Sequence, residues 1–138
     1  MNAYHFNNGK TLRDGAPLPA IGEWLKHDGD VTPCESGLHA SEHPFDAITY
    51  AQGLTLDRVT LRGSIVPHGT DKVAASERRR DASIDARPVV LAFARWCAIQ
   101  ALPHWSAPET VLTFLRDGSN PAAAVDAAYA ARVLKIIT

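Results

Sequence analysis

The chain is short of cysteine, of net charge and of long apolar runs, and each shortage closes off a class of protein. Two cysteines, Cys34 and Cys97, in 138 residues cannot build the dense disulfide framework of a small secreted scaffold. A formal net charge of −1 provides no electrostatic footprint for a nucleic-acid backbone. No apolar run approaches the ~20 residues needed to cross a bilayer. The polar opening MNAYHFNNGK lacks the apolar stretch of a secretory signal. The expectation is a cytoplasmic protein with reduced thiols and neither a membrane nor a nucleic acid as partner. Glycine-rich phosphate loops are missing too: Gly53, Gly63 and Gly69 stand singly at turns. What remains, 46% hydrophobic and 21% charged residues, is the composition of a globular protein with a real core. A single domain spanning 1–138 is expected.

Within that domain the pattern changes near Asp81, from short strands and turns (1–80) to alanine-rich helices (81–138). Ala3 to Phe6 reads as a first strand and Ile21 to Lys26 as a second, with Trp24 half buried. A short strand follows at Leu38 to Ala40. Pro44 suits the first turn of a helix capped by Ser41 or His43, with Phe45, Ile48, Ala47 and Ala51 on one side and Gly53 as its stop. From Asp57 to Val66, Val59, Leu61 and Ile65 alternate with Arg58, Thr60, Arg62 and Ser64, the period of a half-buried antiparallel strand. Gly63 marks a bulge in it, and Lys72 to Ser76 returns as a partner. The run Arg78-Arg79-Arg80 reads as a solvated edge or loop.

Three helices are expected after that. The first runs from Pro88 to about Leu102, with Val89, Phe93, Trp96 and Cys97 along its apolar stripe. Cys97 reads there as a small core residue. A buried Trp96 would cost about 3–5 kcal/mol on replacement by Ala. Ser106 and Glu109 have the spacing of a capping box for the second helix, which buries Val111, Leu112 and Leu115 and stops at Gly118. Asn120-Pro121 opens the third, where Val125, Tyr129 and Val133 share a face. Its many alanines permit close approach of another helix, at home or in a second copy, so a homo-oligomer through this helix is one expected arrangement. Strands followed by helices define an α+β class: a small antiparallel sheet with one short helix, then three C-terminal helices.

Thr32 to Ala51, TPCESGLHASEHPFDAITYA, is the densest stretch of chemistry. Cys34, His39 and His43 carry donors that suit zinc, and His5, His27 or Asp46 would have to complete a closed site. With no C-x-x-C pair, the reading taken is that no metal or other cofactor is bound. Cys34 then packs under a turn, His39 is a hydrogen-bonded strand residue and His43 caps a helix. Nucleophilic use of Cys34 finds no histidine placed beside it by the sequence. His5 on an early strand, Tyr50 at a helix end and an acid, Glu77 or Glu109, loosely resemble the nicotinamide-ribose histidine, stacking aromatic and acid of one class of ADP-ribosyltransferases. The candidate binding set is His5, Cys34, His39, His43, Tyr50 and Arg58, with His39, Tyr50 and Arg58 expected around one concave surface.

The segments Gly29-Asp30-Val31, Pro33 to Ala40 and Pro44 to Ala47 resemble those of a family of small phage and prophage proteins of unknown function. So do Arg58 to Gly63 and Asp71 to Ser76. The resemblance covers roughly residues 1 to 80. Many members have a second cysteine where this chain has Ser41, which speaks against an essential Cys-His-Cys metal cluster here. The resemblance implies a phage accessory protein in a bacterial cytoplasm. The function expected from it is non-enzymatic binding of a host or phage protein, to counteract a bacterial defence system. An NAD-binding ADP-ribosyltransferase-like enzyme and a small-ligand-binding protein are the alternatives.

Overall fold

The computed structural model describes residues 1–128 and has the expected α+β class. It separates into two compact units, Met1–Arg87 and a second that begins at Pro88. The first unit contains β1 (Asn2–Asn7), β2 (Trp24–Lys26), β3 (Leu38–Ala40), α1 (Pro44–Ile48), β4 (Thr55–His68) and β5 (Lys72–Asp85). All pairings are antiparallel, in the order β1-β4-β5-β2, with β3 also on β5. Tyr4 and Ser41 exchange both backbone hydrogen bonds, 2.7 and 2.9 Å, across the other side of β1. The path β1-β4-β5-β3 therefore bends round and meets itself at one bridge.

Small residues make that closure feasible. Ala3, Ala40, Val59, Leu61, Val73 and Ala75 form the buried cluster inside it, and three of the six are alanines. Val59 and Leu61 are buried as their alternation requires, but Ile65 is 37% exposed. The cause is the bulge: the β4–β5 register shifts between Arg62 and Ile65, which resets the alternation beyond it. Gly63 sits in that bulge at φ +77, and a Cβ there would run into the Ser76 hydroxyl, so glycine is required on two counts.

Elsewhere the boundaries moved. β2 begins only at Trp24, because Gly22 at φ +89 breaks extended backbone, and Ile21 is left exposed. Trp24 is half buried as expected, with the Arg62 guanidinium 3.7 Å from its ring centre and Arg79 at 5.1 Å. α1 ends at Ile48, well before Gly53, where i→i−3 bonds from Tyr50 to Ala47 and from Ala51 to Ile48 tighten the chain. Phe45 is 66% exposed and off the apolar side assigned to it.

β5 runs on through the arginine run to Asp85, so the change to helix falls at Arg87 and not near Asp81. Two of its three arginines are not solvated. Arg78 is 7% exposed, and Arg80 is drawn inward by Asp57, a carboxylate only 1% exposed. Asp57 accepts from Arg80 Nε at 2.7 Å, Arg80 Nη2 at 3.1 Å and Asn7 Nδ2 at 2.7 Å. A bidentate carboxylate partner is what makes a buried guanidinium tolerable.

The second unit contains α2, which begins one residue earlier (Arg87–Gln100), a 3-10 turn at Leu102–His104, α3 (Glu109–Asp117) and a helix described over 121–128. Its core is Val111, Leu115 and Ala124, with Leu102, Trp105, Ala107 and Phe114 packed on it. Leu112 is only half buried. The capping box is not made: α3 starts at Glu109 itself, Pro108 is the N-cap, and the Glu109 carboxylate meets Arg116 at 3.4 Å. Gly118 does end the helix in the left-handed conformation. The Asn120 carbonyl accepts from the Ala124 amide to open the next helix. Val125 is exposed on it, while Tyr129 and Val133 lie outside the described residues.

α2 overturns the expectation for Trp96 and Cys97. No α2 residue is buried, Trp96 is 57% exposed and Cys97 is exposed. Trp105 supplies the aromatic of this core instead, and Trp96 stacks on Phe93 with ring centres 6.0 Å apart. Trp96→Ala is accordingly expected to cost no more than ~1.5 kcal/mol, the scale of an aromatic pair. A shift in the urea midpoint equivalent to ~3 kcal/mol or more would contradict this.

Candidate functional site

Of two concavities in the first unit, the larger is a cavity of about 620 Å³. β1 contributes Tyr4 to Asn7, the following loop contributes Thr11 to Asp14, and Cys34 to Ser41 supply the opposite side. His27, Tyr50, Gln52, Lys72 and Arg78 add further polar groups to the lining. Of the residues singled out from the sequence, His5, Cys34, His39 and Tyr50 come together here. His43 does not: it occupies the backbone N-cap position of α1 without a side-chain cap bond and is exposed. Arg58 does not either. Neighbours on a strand face opposite ways, and while Asp57 points inward, Arg58 lines a separate depression of about 550 Å³ with Asn2, Gly22, Thr60, Arg79 and Asp81.

The loop carrying Cys34 is held by backbone bonds from Glu35 and Ser36 to the Thr32 carbonyl. Cys34 adopts φ +73, which a non-glycine residue rarely accepts. His39 stabilises that conformation by accepting the Cys34 amide proton at Nε2, 3.0 Å away. The His39 ring is therefore neutral at Nε2. Its pKa is lowered by partial burial and by the neighbouring Lys72 and Arg78 cations. The Cys34 thiol lies 3.7 Å from His68 Nε2 and accepts from the Lys72 ammonium at 3.0 Å. Lys72 also lies over the Tyr50 ring at 4.4 Å, and the Tyr50 hydroxyl donates to Asp71 at 2.6 Å. That bond to a carboxylate pushes the Tyr50 hydroxyl above its ordinary range.

Deeper in, His5 has its pKa lowered to about 3 by burial first and by Arg78 next, so it is neutral at any ordinary pH. Arg78 Nη1 donates to the His39 carbonyl. No carboxylate lies within ion-pair distance of Arg78 among the described residues. Burial lowers its pKa to about 10, which still leaves it a cation.

Besides the misread Arg78, sequence reasoning missed His68 and Lys72. They lie 34 and 38 positions from Cys34 and reach it through the β4–β5 turn. The Pro67-His68-Gly69 turn signal was visible, but not that it folds over Cys34. Among the described residues no three histidine, cysteine or acidic side chains gather closely enough for a metal ion. Of the acids considered for an ADP-ribosyltransferase-like site, Glu77 is held by Arg62 at 2.7 Å and Glu109 belongs to the second unit.

A small α+β unit with a polar-lined cavity is thus the class that fold and site define. The chain belongs to the family described as a domain of unknown function, DUF7666, whose model matches residues 2–92. The match spans the whole first unit bar its first residue and only the opening of α2. No curated protein and no solved structure matches the chain.

Proposed function

We propose that the first unit is a small-molecule-binding module and that its ligand occupies the 620 Å³ cavity. The observation that supports this is the convergence of His5, His39, Tyr50, Lys72 and Arg78 on one cavity of ligand size, built on a closed strand path. Glu77, the acid of this unit that the enzymatic alternative would use, is paired with Arg62 and is not among the residues that line the cavity. The ligand module acts in the setting that the sequence resemblance implies, a phage or prophage protein working in a bacterial cytoplasm. Among the described residues no helix is long and apolar enough to cross a membrane.

Thermal-shift measurements on the full chain with NAD, nucleotides, cyclic nucleotides and inorganic phosphate test the module. We expect at least one to raise the melting temperature. The double variant His39→Ala/Tyr50→Ala is expected to keep its circular dichroism spectrum and lose that response. A folded double variant with an unchanged response removes the cavity as the site. An unfolded one makes His39 a structural anchor for the Cys34 loop.

A second reading, binding of a host or phage protein to blunt a defence system, is favoured by α2. Val89, Leu91, Phe93, Trp96 and Ile99 are all exposed on one 14-residue helix. If it holds, Trp96→Ala abolishes capture of a host protein without unfolding the chain. Capture that survives this change excludes α2 as the contact.

A further inference from the structure

We infer that the cavity ligand is an anion, a carboxylate or phosphate compound whose charged group is taken by Arg78 at the cavity floor with Lys72 at the rim. This rests on the reading of the cavity as a ligand site and names its chemistry. The argument starts from the cost of a buried guanidinium. Arg80, two residues along the same strand, has a buried carboxylate of its own. Arg78 is 7% exposed and has none among the described residues. The Asp57 carboxylate is already occupied by Arg80 and Asn7. Among the described residues the one side-chain hydrogen bond of Arg78 goes from Nη1 to the His39 carbonyl, which leaves Nε and Nη2 without a protein acceptor there. Among the described residues no sealed-in side-chain nitrogen or oxygen lacks a partner. Those two nitrogens are therefore reached from outside, and Arg78 lines the cavity. An edge of a guanidinium with two donors open to a cavity matches a carboxylate or phosphate in the bidentate manner.

The rest of the lining agrees. Three cations, Arg13, Lys72 and Arg78, face the cavity against two carboxylates, Asp14 and Glu35. Both carboxylates belong to exposed residues, and Asp14 already accepts the Ala16 amide at 3.0 Å. The imidazole of His5 is neutral and leaves this charge balance unchanged. Among the described residues the Lys72 ammonium meets a thiol and an aromatic face and pairs with no carboxylate.

Matched probes test the inference on the full chain: phenyl phosphate against phenol, and benzoate against benzyl alcohol, by calorimetry at constant ionic strength. The anionic member of each pair is expected to bind about tenfold more tightly or better, the size of a charge-assisted hydrogen bond. Arg78→Gln and Lys72→Gln are each expected to remove most of that preference. Lys72 is nearer the surface, so its variant carries the test if Arg78→Gln fails to fold. Phenyl phosphate is also expected to slow alkylation of Cys34 by iodoacetamide while Cys97, in the other unit, reacts at its free rate. Equal binding of charged and neutral members, unaffected by either change, overturns the anion and leaves the cavity reading standing. No binding by any probe and no protection of Cys34 overturns both.

Discussion

Asp57→Ala is expected to destabilise the first unit by about 3–5 kcal/mol, the cost of leaving one member of a buried ion pair behind. Three donors converge on this carboxylate: Arg80 Nε and Nη2, and Asn7 Nδ2. Removing it strands Arg80 and leaves a second cation, Arg78, in the same strand without a nearby countercharge. It also unties β1 from β4, since Asn7 lies at one end of the strand pairing and Asp57 within it. Urea unfolding followed by far-UV circular dichroism measures the loss. Asp57→Leu combined with Arg80→Met should recover a good part of it, because a hydrophobic pair of similar volume needs no countercharge. A loss of ~1 kcal/mol or less for Asp57→Ala would mean that water reaches Arg80 and the pair is not a keystone.

Stability should also fall steeply on mild acidification. In the folded chain His5 binds a proton only near pH 3, against 6.5 for an unperturbed histidine, with burial as the main cause. The unfolded chain therefore binds more protons throughout that interval, and stability rises with pH across it. Above about pH 6.5 both states are neutral at this position and no further change arises from it. Below that the loss approaches about 1.4 kcal/mol per pH unit for such a group. His39, lowered in the same direction, adds to the slope. Urea titrations at pH 7, 6, 5 and 4 measure it, and His5→Gln should flatten the profile. Parallel profiles for the two proteins would place the acid sensitivity elsewhere.

The parts legible in the sequence were those governed by local periodicity and turn chemistry. The alternation of Val59 and Leu61 with charged neighbours, the Gly63 bulge, the Leu38–Ala40 strand and the Gly118 stop are all decided within a few residues of themselves. Residues decided by distant partners were misread. Arg78 to Arg80 resemble a surface run until Asp57, more than 20 positions away, is seen inside the sheet. Ser106 and Glu109 have the spacing of a cap but lack the register, because the helix starts later. Half of the site followed the same divide. Cys34, His39 and Tyr50 belong to one dense stretch and were found together. Arg78, Lys72 and His68 are brought in by strand pairing and were not.

The Gly63 bulge has a consequence for solubility. β1 covers the outer side of β4 only up to Thr60, with a last bond from the Leu61 amide to Met1. From Arg62 to His68 that side carries no strand among the described residues, and an open edge of this length invites another chain to add itself as a further strand. Several features spoil the template. The bulge throws the backbone amides out of register, Arg62 places a charge at its start, and Pro67 has no amide proton to donate. The same glycine that resets the alternation of β4 thus helps to keep two copies from zipping together into fibres.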